Sequence, residues 1–190
     1  MTDRDPTPDT QLDAGDFASW LVEIRGAIRG DNPSDVPCGD CTACCTASQF
    51  IHIAPDETDA LAHIPSALLF PAPRLPSGHV LMGYNERGQC PMLIDNRCSI
   101  YEHRPRACRT YDCRVFAATG LEPDDDKILV AQQVRRWRFS FATQSDHDAY
   151  DALCTAANQL RLDPSELPQG ISPSNTTHIA IHAIEIADTH

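Results

Sequence analysis

The sequence lacks an excess of positive charge, since 15 lysine and arginine residues stand against 27 aspartate and glutamate residues, a formal net charge of −12. Nucleic acids and anionic membrane surfaces are polyanions, so this charge argues against both as partners. No apolar run approaches the roughly 20 residues that span a bilayer. Residues 1–6 are polar and acidic, unlike the basic start of a secretory signal. These absences predict a cytoplasmic protein that binds neither nucleic acid nor membrane.

The usual marks of a catalytic site are also missing. The sequence has no phosphate-binding loop, no convincing glycine-rich cofactor loop and no Ser–His–Asp order, and it shows no internal repeat. The sequence therefore leaves open whether the protein is an enzyme. Its 190 residues are enough to bury an apolar core without help from a metal.

Cysteine, by contrast, is abundant. Eight of the nine cysteines lie between Cys38 and Cys113. Cytoplasmic thiols are kept reduced and stable disulfides are uncommon there, so metal binding is the better interpretation. Cys154 stands apart on a predicted helix, where a cysteine packs as a small apolar residue, and is left out of the predicted site. The predicted metal ligands are Cys38, Cys41, Cys44, Cys45, Cys90, Cys98, Cys108 and Cys113.

The first four cysteines follow the pattern Cys-x2-Cys-x2-Cys-Cys. Short spacings allow several thiolates to converge on one centre. Cys38, Cys41 and Cys44 reproduce the first three positions of the bacterial ferredoxin run, but the fourth local position is missing. We expect a remote thiolate to complete the site, contributed by Cys90, Cys98, Cys108 or Cys113.

The last four cysteines have the looser pattern Cys-x7-Cys-x9-Cys-x4-Cys, which fits a zinc ribbon poorly. Eight thiolates are compatible with two tetrahedral zinc sites, with one four-cysteine cluster and a second metal, or with one cluster and spare thiols. The ferredoxin-like first loop favours an iron–sulfur cluster, of the 4Fe–4S type, over zinc. His52, His79 and His103 are candidate extra ligands, but eight cysteines already suffice.

Positive charge concentrates around the later cysteines. Five arginines and two acids between residues 97 and 114 give a local charge of 5 − 2 = +3 in an acidic chain. Four thiolates around zinc or a 4Fe–4S core leave net negative charge, which nearby guanidinium groups would offset while donating hydrogen bonds to sulfur. The alternative is that these arginines are solvated or pair with the chain's acids.

Two blocks of the sequence resemble the CxxCxxCC (YkgJ-type) cysteine-cluster family of zinc- or iron-chelating domains. The first block is CGDCTACC at residues 38–45, and the second runs over residues 90–113 through CPML, CSIYEHRP and CRTYDC. The resemblance implies metal chelation. It also implies that Arg104 and Arg109, which match motif positions, shape the loop and support a bound cofactor electrostatically.

One better-defined relative with this motif, the flagellin lysine methylase, combines it with methyl transfer from S-adenosylmethionine, and the resemblance there points towards a 4Fe–4S centre. The leading hypothesis is a metal- or cluster-binding protein for redox, sensing or metal-handling work. The alternatives are a cluster-dependent transferase and an interaction module in which zinc is only structural.

The apolar pattern predicts a mainly α fold with a small β-hairpin around a cysteine-rich, metal-organised irregular core. We expect a disordered acidic tail at residues 1–12, a single domain at 13–163 with its metal-binding core at 38–113, and a partly helical C-terminal extension at 164–190. The predicted elements are a helix from Asp16 to Gly30, a strand at 50–53, a helix at 55–64, a hairpin of 80–84 with 89–94, a helix through Val130, Val134, Trp137 and Phe141, a helix through Ala149 and Leu160 capped by Asp146, and a helix in the tail from Asn175.

Overall fold

The computed structural model describes residues 10–34, 36, 40–168 and 175–187. These residues are about 47% helical and form a few small sheets, which agrees with the predicted mainly α fold. Among them, no helix combines the length and the apolar character needed to cross a membrane. Most of the predicted acidic tail, residues 1–9, lies outside the described residues.

The chain divides into two compact units. One, the cysteine unit, is Pro33–Tyr111. The other, the helical unit, combines Met1–Asn32 with Asp112–His190. The domain limits expected from the sequence, at 12/13 and 163/164, stay predictions.

The helical unit opens with strand β1 (Leu12–Asp16) and helix α1 (Phe17–Arg29). The predicted helix is confirmed at both ends. The Asp16 carboxylate accepts a hydrogen bond from the Ser19 amide and so caps the start of α1, and Gly30 ends it in the left-handed conformation at φ 84°. Its apolar stripe is buried, as expected for an amphipathic helix, at Phe17, Trp20, Ile24 and Ala27.

The cysteine unit is built from short elements. A three-stranded antiparallel sheet has the order β2 (Ile51–Ile53), β4 (Val80–Met82), β3 (Leu69–Pro71). A two-stranded hairpin follows, β5 (Leu93–Ile94) with β6 (Arg97–Cys98), and the helices are α2 (Thr58–His63) and α3 (Arg106–Thr110). A small apolar core lies between them at Ile53, Ala60, Ile64, Met82, Met92 and Ile100.

The predicted hairpin of 80–84 with 89–94 is wrong. The turn at Asn85–Gly88 does form, since Gly88 N donates to the Asn85 carbonyl oxygen at 2.9 Å. Beyond it the chain does not return along β4, which pairs with β2 and β3 instead. Pro91 lacks an N–H and cannot donate a backbone hydrogen bond to a neighbouring strand. Residues 89–94 are therefore poorly suited to pair with β4.

The second segment of the helical unit carries α4 (Arg114–Thr119), α5 (Ile128–Val134), strand β7 (Trp137–Ser140), α6 (Gln144–Leu162) and α7 (Thr176–Ile186). Helices α4, α6 and α7 contact one another, and α1 contacts α6 and α7. The buried side chains of this core include Phe17, Phe116, Leu153, Leu160, Ile179 and Ile184. The predicted tail helix is confirmed by α7.

The helix predicted through Val130 and Phe141 is wrong in its second half. Helix α5 stops at Val134, and Trp137–Ser140 is β7, paired in parallel with β1. Trp137 and Phe139 also fit the two-residue period of a strand, and β1 supplies the backbone partners that make a strand stable there. The cap of α6 is corrected as well: Thr143 is the N-cap, and Asp146 is the third helical residue of a capping box with it.

Tyr150 of α6 allows a prediction about pH. Its hydroxyl donates to the Ala117 carbonyl oxygen at 3.2 Å. Burial, with a smaller contribution from Cys154, raises the pKa of Tyr150 to about 12. A tyrosine in the unfolded chain ionises at about pH 10, so the unfolded state releases this proton before the folded state does. The free energy of unfolding therefore falls as the pH rises from about 10 to about 12.

We therefore expect alkaline titration, followed by tyrosinate absorbance, to show one of the four tyrosines ionising late. Tyr150→Phe is expected to remove that late step. A late step that survives in the Tyr150→Phe variant would assign it to a different tyrosine and contradict the prediction.

Candidate metal centre

The first cysteine loop is partly described. Cys41, Cys44 and Cys45 are half-buried, and Cys44 and Cys45 open a 3-10 turn that ends at Thr46. The Thr46 amide and hydroxyl both donate to the Thr42 carbonyl oxygen, at 3.1 and 3.0 Å. This turn fixes the backbone at the two adjacent cysteines. Cys38, the first predicted ligand, lies outside the described residues.

Backbone hydrogen bonds join the start of the second cysteine block to this loop. Cys90 N donates to the Cys45 carbonyl oxygen at 2.7 Å, and Ser48 N donates to the Gly88 carbonyl oxygen at 2.9 Å. These hydrogen bonds join residues that are 45 and 40 positions apart in the sequence. They place Cys90 beside the Cys44–Thr46 turn.

Cys98 is positioned by the hairpin of β5 and β6, where it is the partner of Leu93. The two turn residues, Asp95 and Asn96, both adopt left-handed conformations, at φ 48° and 60°. Asp and Asn tolerate this conformation better than other non-glycine residues, and it is the one that a tight two-residue hairpin needs. Leu93 N donates to the Cys90 carbonyl oxygen at 3.0 Å, which ties Cys90 to the same hairpin.

Cys108 lies on the short helix α3, whose start is held by Glu57. One Glu57 carboxylate oxygen accepts from Ala54 N at 2.9 Å, and the other accepts from Arg106 N. Glu57 is buried, with 8% of its surface exposed, and precedes the first residue of α2. The sequence indicated only an acid that favours a helix start, so this second contact, across 49 residues, was missed.

The Cys108 thiol interacts electrostatically with three other cysteine thiols. Burial is the main cause that raises the pKa of the Cys108 thiol to about 12, with additional contributions from charges on Cys90, Cys45 and Cys98. Burial likewise raises the pKa of Cys90, and Cys98 adds to that rise. We call Cys45, Cys90, Cys98 and Cys108 the four-thiol group. A metal ion that binds there has to displace thiol protons.

Two arginines of the predicted basic patch pair with acids. Arg106 contacts the Asp56 carboxylate at 2.7 Å, and Arg114 belongs to the helical unit, where it contacts Asp112. For these two arginines the structure shows the alternative in which they pair with the chain's acids, and carboxylates are stronger partners for guanidinium than thiols are.

Arg104 remains beside the thiols. Its charge opposes part of the rise in the pKa of Cys108. Its Nε donates to the Tyr101 carbonyl oxygen at 2.7 Å, and its guanidinium lies 3.5 Å from the centre of the Tyr101 ring. Arg109 is exposed, and its charge acts on Asp59. The two motif arginines thus have different surroundings.

Two cysteines lie in the helical unit. Cys113 is buried immediately before α4, and its sulfur accepts a hydrogen bond from Trp137 Nε1 at 3.3 Å. Cys154 is half-buried on α6 and donates to the Ala118 carbonyl oxygen at 3.5 Å. The assignment of Cys113 as a ligand stays a prediction, as does the exclusion of Cys154.

A second group of metal-binding side chains was missed in part by the sequence analysis. Within the described ranges, Asp59, His63 and His103 are the set of three or more His, Cys, Asp or Glu side chains whose ligand atoms all lie within 4.8 Å of one another. Only His103 had been considered. The available signal was the Asp-x3-His spacing, which places two side chains on one face of a helix.

Short loops and a hairpin carry the half-buried thiols of this cysteine-rich unit. Thiolates are ligands suited to zinc or iron. The chain belongs to the CxxCxxCC family, described as a putative zinc- or iron-chelating domain, which matches residues 37–134. This membership supports metal binding and specifies neither metal. No curated protein and no solved structure matches the chain significantly.

Proposed function

We propose that this protein binds an iron–sulfur cluster of the 4Fe–4S type through thiolates of its cysteine unit. The observation that carries the proposal is the backbone contact of Cys90 with Cys45, together with the β5–β6 hairpin that holds Cys98 near Cys90, because such a cluster takes four cysteine ligands. The members of the four-thiol group come from the Cys44–Thr46 turn, the segment that leads into and forms the β5–β6 hairpin, and helix α3. A cluster bound there would cross-link three short, separate parts of the unit.

An iron–sulfur cluster is preferred to zinc because the cysteines of the first loop are spaced as in bacterial ferredoxins. Cys38, Cys41 and Cys44 have the ferredoxin spacing. Because one cluster takes four thiolates, these three are proposed as alternative ligands to members of the four-thiol group. Arg104 is proposed to offset part of the negative charge of the bound cluster, since its charge already acts on Cys108. The supporting role of Arg109 rests on its motif position alone.

The bound cluster would serve electron transfer, sensing or metal handling. Protein charge, hydrogen bonds to sulfur and solvent exposure set the potential of such a cluster, and this unit supplies half-buried thiols and a nearby guanidinium. Zinc is the second candidate, because the family description names zinc and iron equally. In that case the metal would be structural and would hold the short elements together.

The test is metal and sulfide analysis of protein purified without oxygen, for the wild type, Cys108→Ser and Cys154→Ser. The wild type is expected to contain about four irons and four sulfides per chain. Cys108→Ser is expected to lose most of both, because a hydroxyl replaces a thiolate ligand. Cys154→Ser is the matched control, since it removes another half-buried helical thiol, and it should retain both.

Zinc without sulfide in the wild type would replace the cluster by the zinc alternative. Full iron and sulfide in Cys108→Ser would remove the four-thiol group as the site. Tryptophan fluorescence controls for folding of the helical unit, because both tryptophans, Trp20 and Trp137, lie there.

A further inference from the structure

Asp59, His63 and His103 form a compact group on the cysteine unit, which we call the histidine–aspartate triad. Asp59 and His63 are one turn apart on α2, and His103 ends the 3-10 turn Tyr101–His103 that contacts α2. His103 Nδ1 lies 3.0 Å from one Asp59 oxygen, and His63 Nδ1 lies 3.6 Å from the other. The two imidazole rings stack with their centres 3.5 Å apart and their planes tilted by 4°.

These nitrogen–oxygen separations match those between ligands of a single ion, but the two stacked imidazole rings have to turn before both nitrogens can point at it. Two N or O ligands bound at 2.0–2.1 Å in tetrahedral geometry lie about 3.3 Å from each other. The observed 3.0 and 3.6 Å bracket that value. Two imidazoles and one carboxylate are also a donor set that borderline divalent metals prefer, whereas the hard ions Ca2+ and Mg2+ prefer oxygen alone.

We propose that the triad binds a divalent transition-metal ion of the Zn2+ class at a site distinct from the thiols. Three protein ligands leave a fourth position, which water can fill because the Asp59 and His63 side chains are 68% and 41% exposed. The site is a surface site with an open position. Its donor set contains no sulfur, which separates it chemically from the proposed cluster.

Two features of the surroundings oppose binding. His63 Nδ1 lies 2.8 Å from the Asp59 backbone oxygen and donates a proton to it in the metal-free protein. Coordination through this nitrogen requires that proton to leave and the ring to turn away, which its exposure permits. The charge of Arg109 also acts on Asp59 and repels a cation. Both effects lower the affinity without removing the donor set.

The test uses Co2+ as the probe, added to the 190-residue protein, prepared without an affinity tag, after its thiol site has been loaded. One additional equivalent is expected, with cobalt ligand-field bands but without the sulfur-to-cobalt charge-transfer band that thiolates give. Zn2+ should displace it. Asp59→Asn should weaken binding by more than about tenfold, since even the loss of a partner outside the first coordination sphere costs about that much.

The double variant His63→Gln/His103→Gln should lose the sulfur-free cobalt bands. Its matched control is His52→Gln/His79→Gln, which removes another pair of contacting imidazoles, 2.9 Å apart, and should keep the bands. Equal cobalt binding in the two double variants, or no sulfur-free cobalt bands in the wild type, would overturn the proposal. The readout does not depend on which metal the thiols hold. The triad proposal can therefore fail while the cluster proposal stands, and the cluster proposal can fail while the triad proposal stands.

Discussion

Replacing Asp112 by asparagine is expected to lower the free energy of unfolding by about 3–5 kcal/mol, because the buried Arg114 guanidinium loses its counter-charge. The Asp112 side chain is fully buried, and that of Arg114 is 6% exposed. Arg114 Nε and its terminal nitrogen contact the carboxylate at 2.8–3.1 Å. Trp20 Nε1 also donates to Asp112, at 3.0 Å, so the same carboxylate anchors α1.

The measurement is urea unfolding followed by tryptophan fluorescence, which reports on the helical unit. Glu122→Gln is the control, because it breaks the Arg135–Glu122 pair at 3.1 Å, whose side chains are 65% and 57% exposed. That change should cost less than about 1 kcal/mol. Similar losses in the two variants would show that burial does not set the strength of the Asp112–Arg114 pair.

Removing the metal with a chelator is expected to release the cysteine unit while the helical unit stays folded. Unit Pro33–Tyr111 has strands of two or three residues, helices of five and six residues, and a small apolar core. Elements this short bury little surface, so a metal cross-link should supply much of their stability. Structural zinc contributes about 10–16 kcal/mol of apparent binding energy in small zinc domains, which sets the scale.

Hydrogen–deuterium exchange of the loaded and the chelated protein measures this directly. Peptides from residues 44–111 should lose protection on chelation, and peptides from the 19-residue helix α6 should keep it as an internal reference. Unchanged protection over 44–111 would mean that the unit is stable without metal. Equal losses in α6 would mean that the metal stabilises the whole chain.

The predicted elements that succeeded are those whose stability is local. Helix α1 carries its own cap at Asp16, its own stop at Gly30 and a continuous apolar stripe, all of which lie within one stretch of sequence. The predictions that failed depend on distant partners. Whether Trp137–Ser140 continued a helix or formed a strand was decided by β1, which lies more than 120 residues earlier.

The sequence by itself determined the family, the cysteine-rich character and the conclusion that the chain carries a thiol donor set, because residue types and short spacings fix which ligands are available. Tertiary structure alone decided which thiols act on one another, that Trp20 donates to the buried Asp112 carboxylate, and that His103 contacts Asp59 and His63. Backbone hydrogen bonds and packing between segments tens of residues apart set those contacts, and no local pattern encodes them.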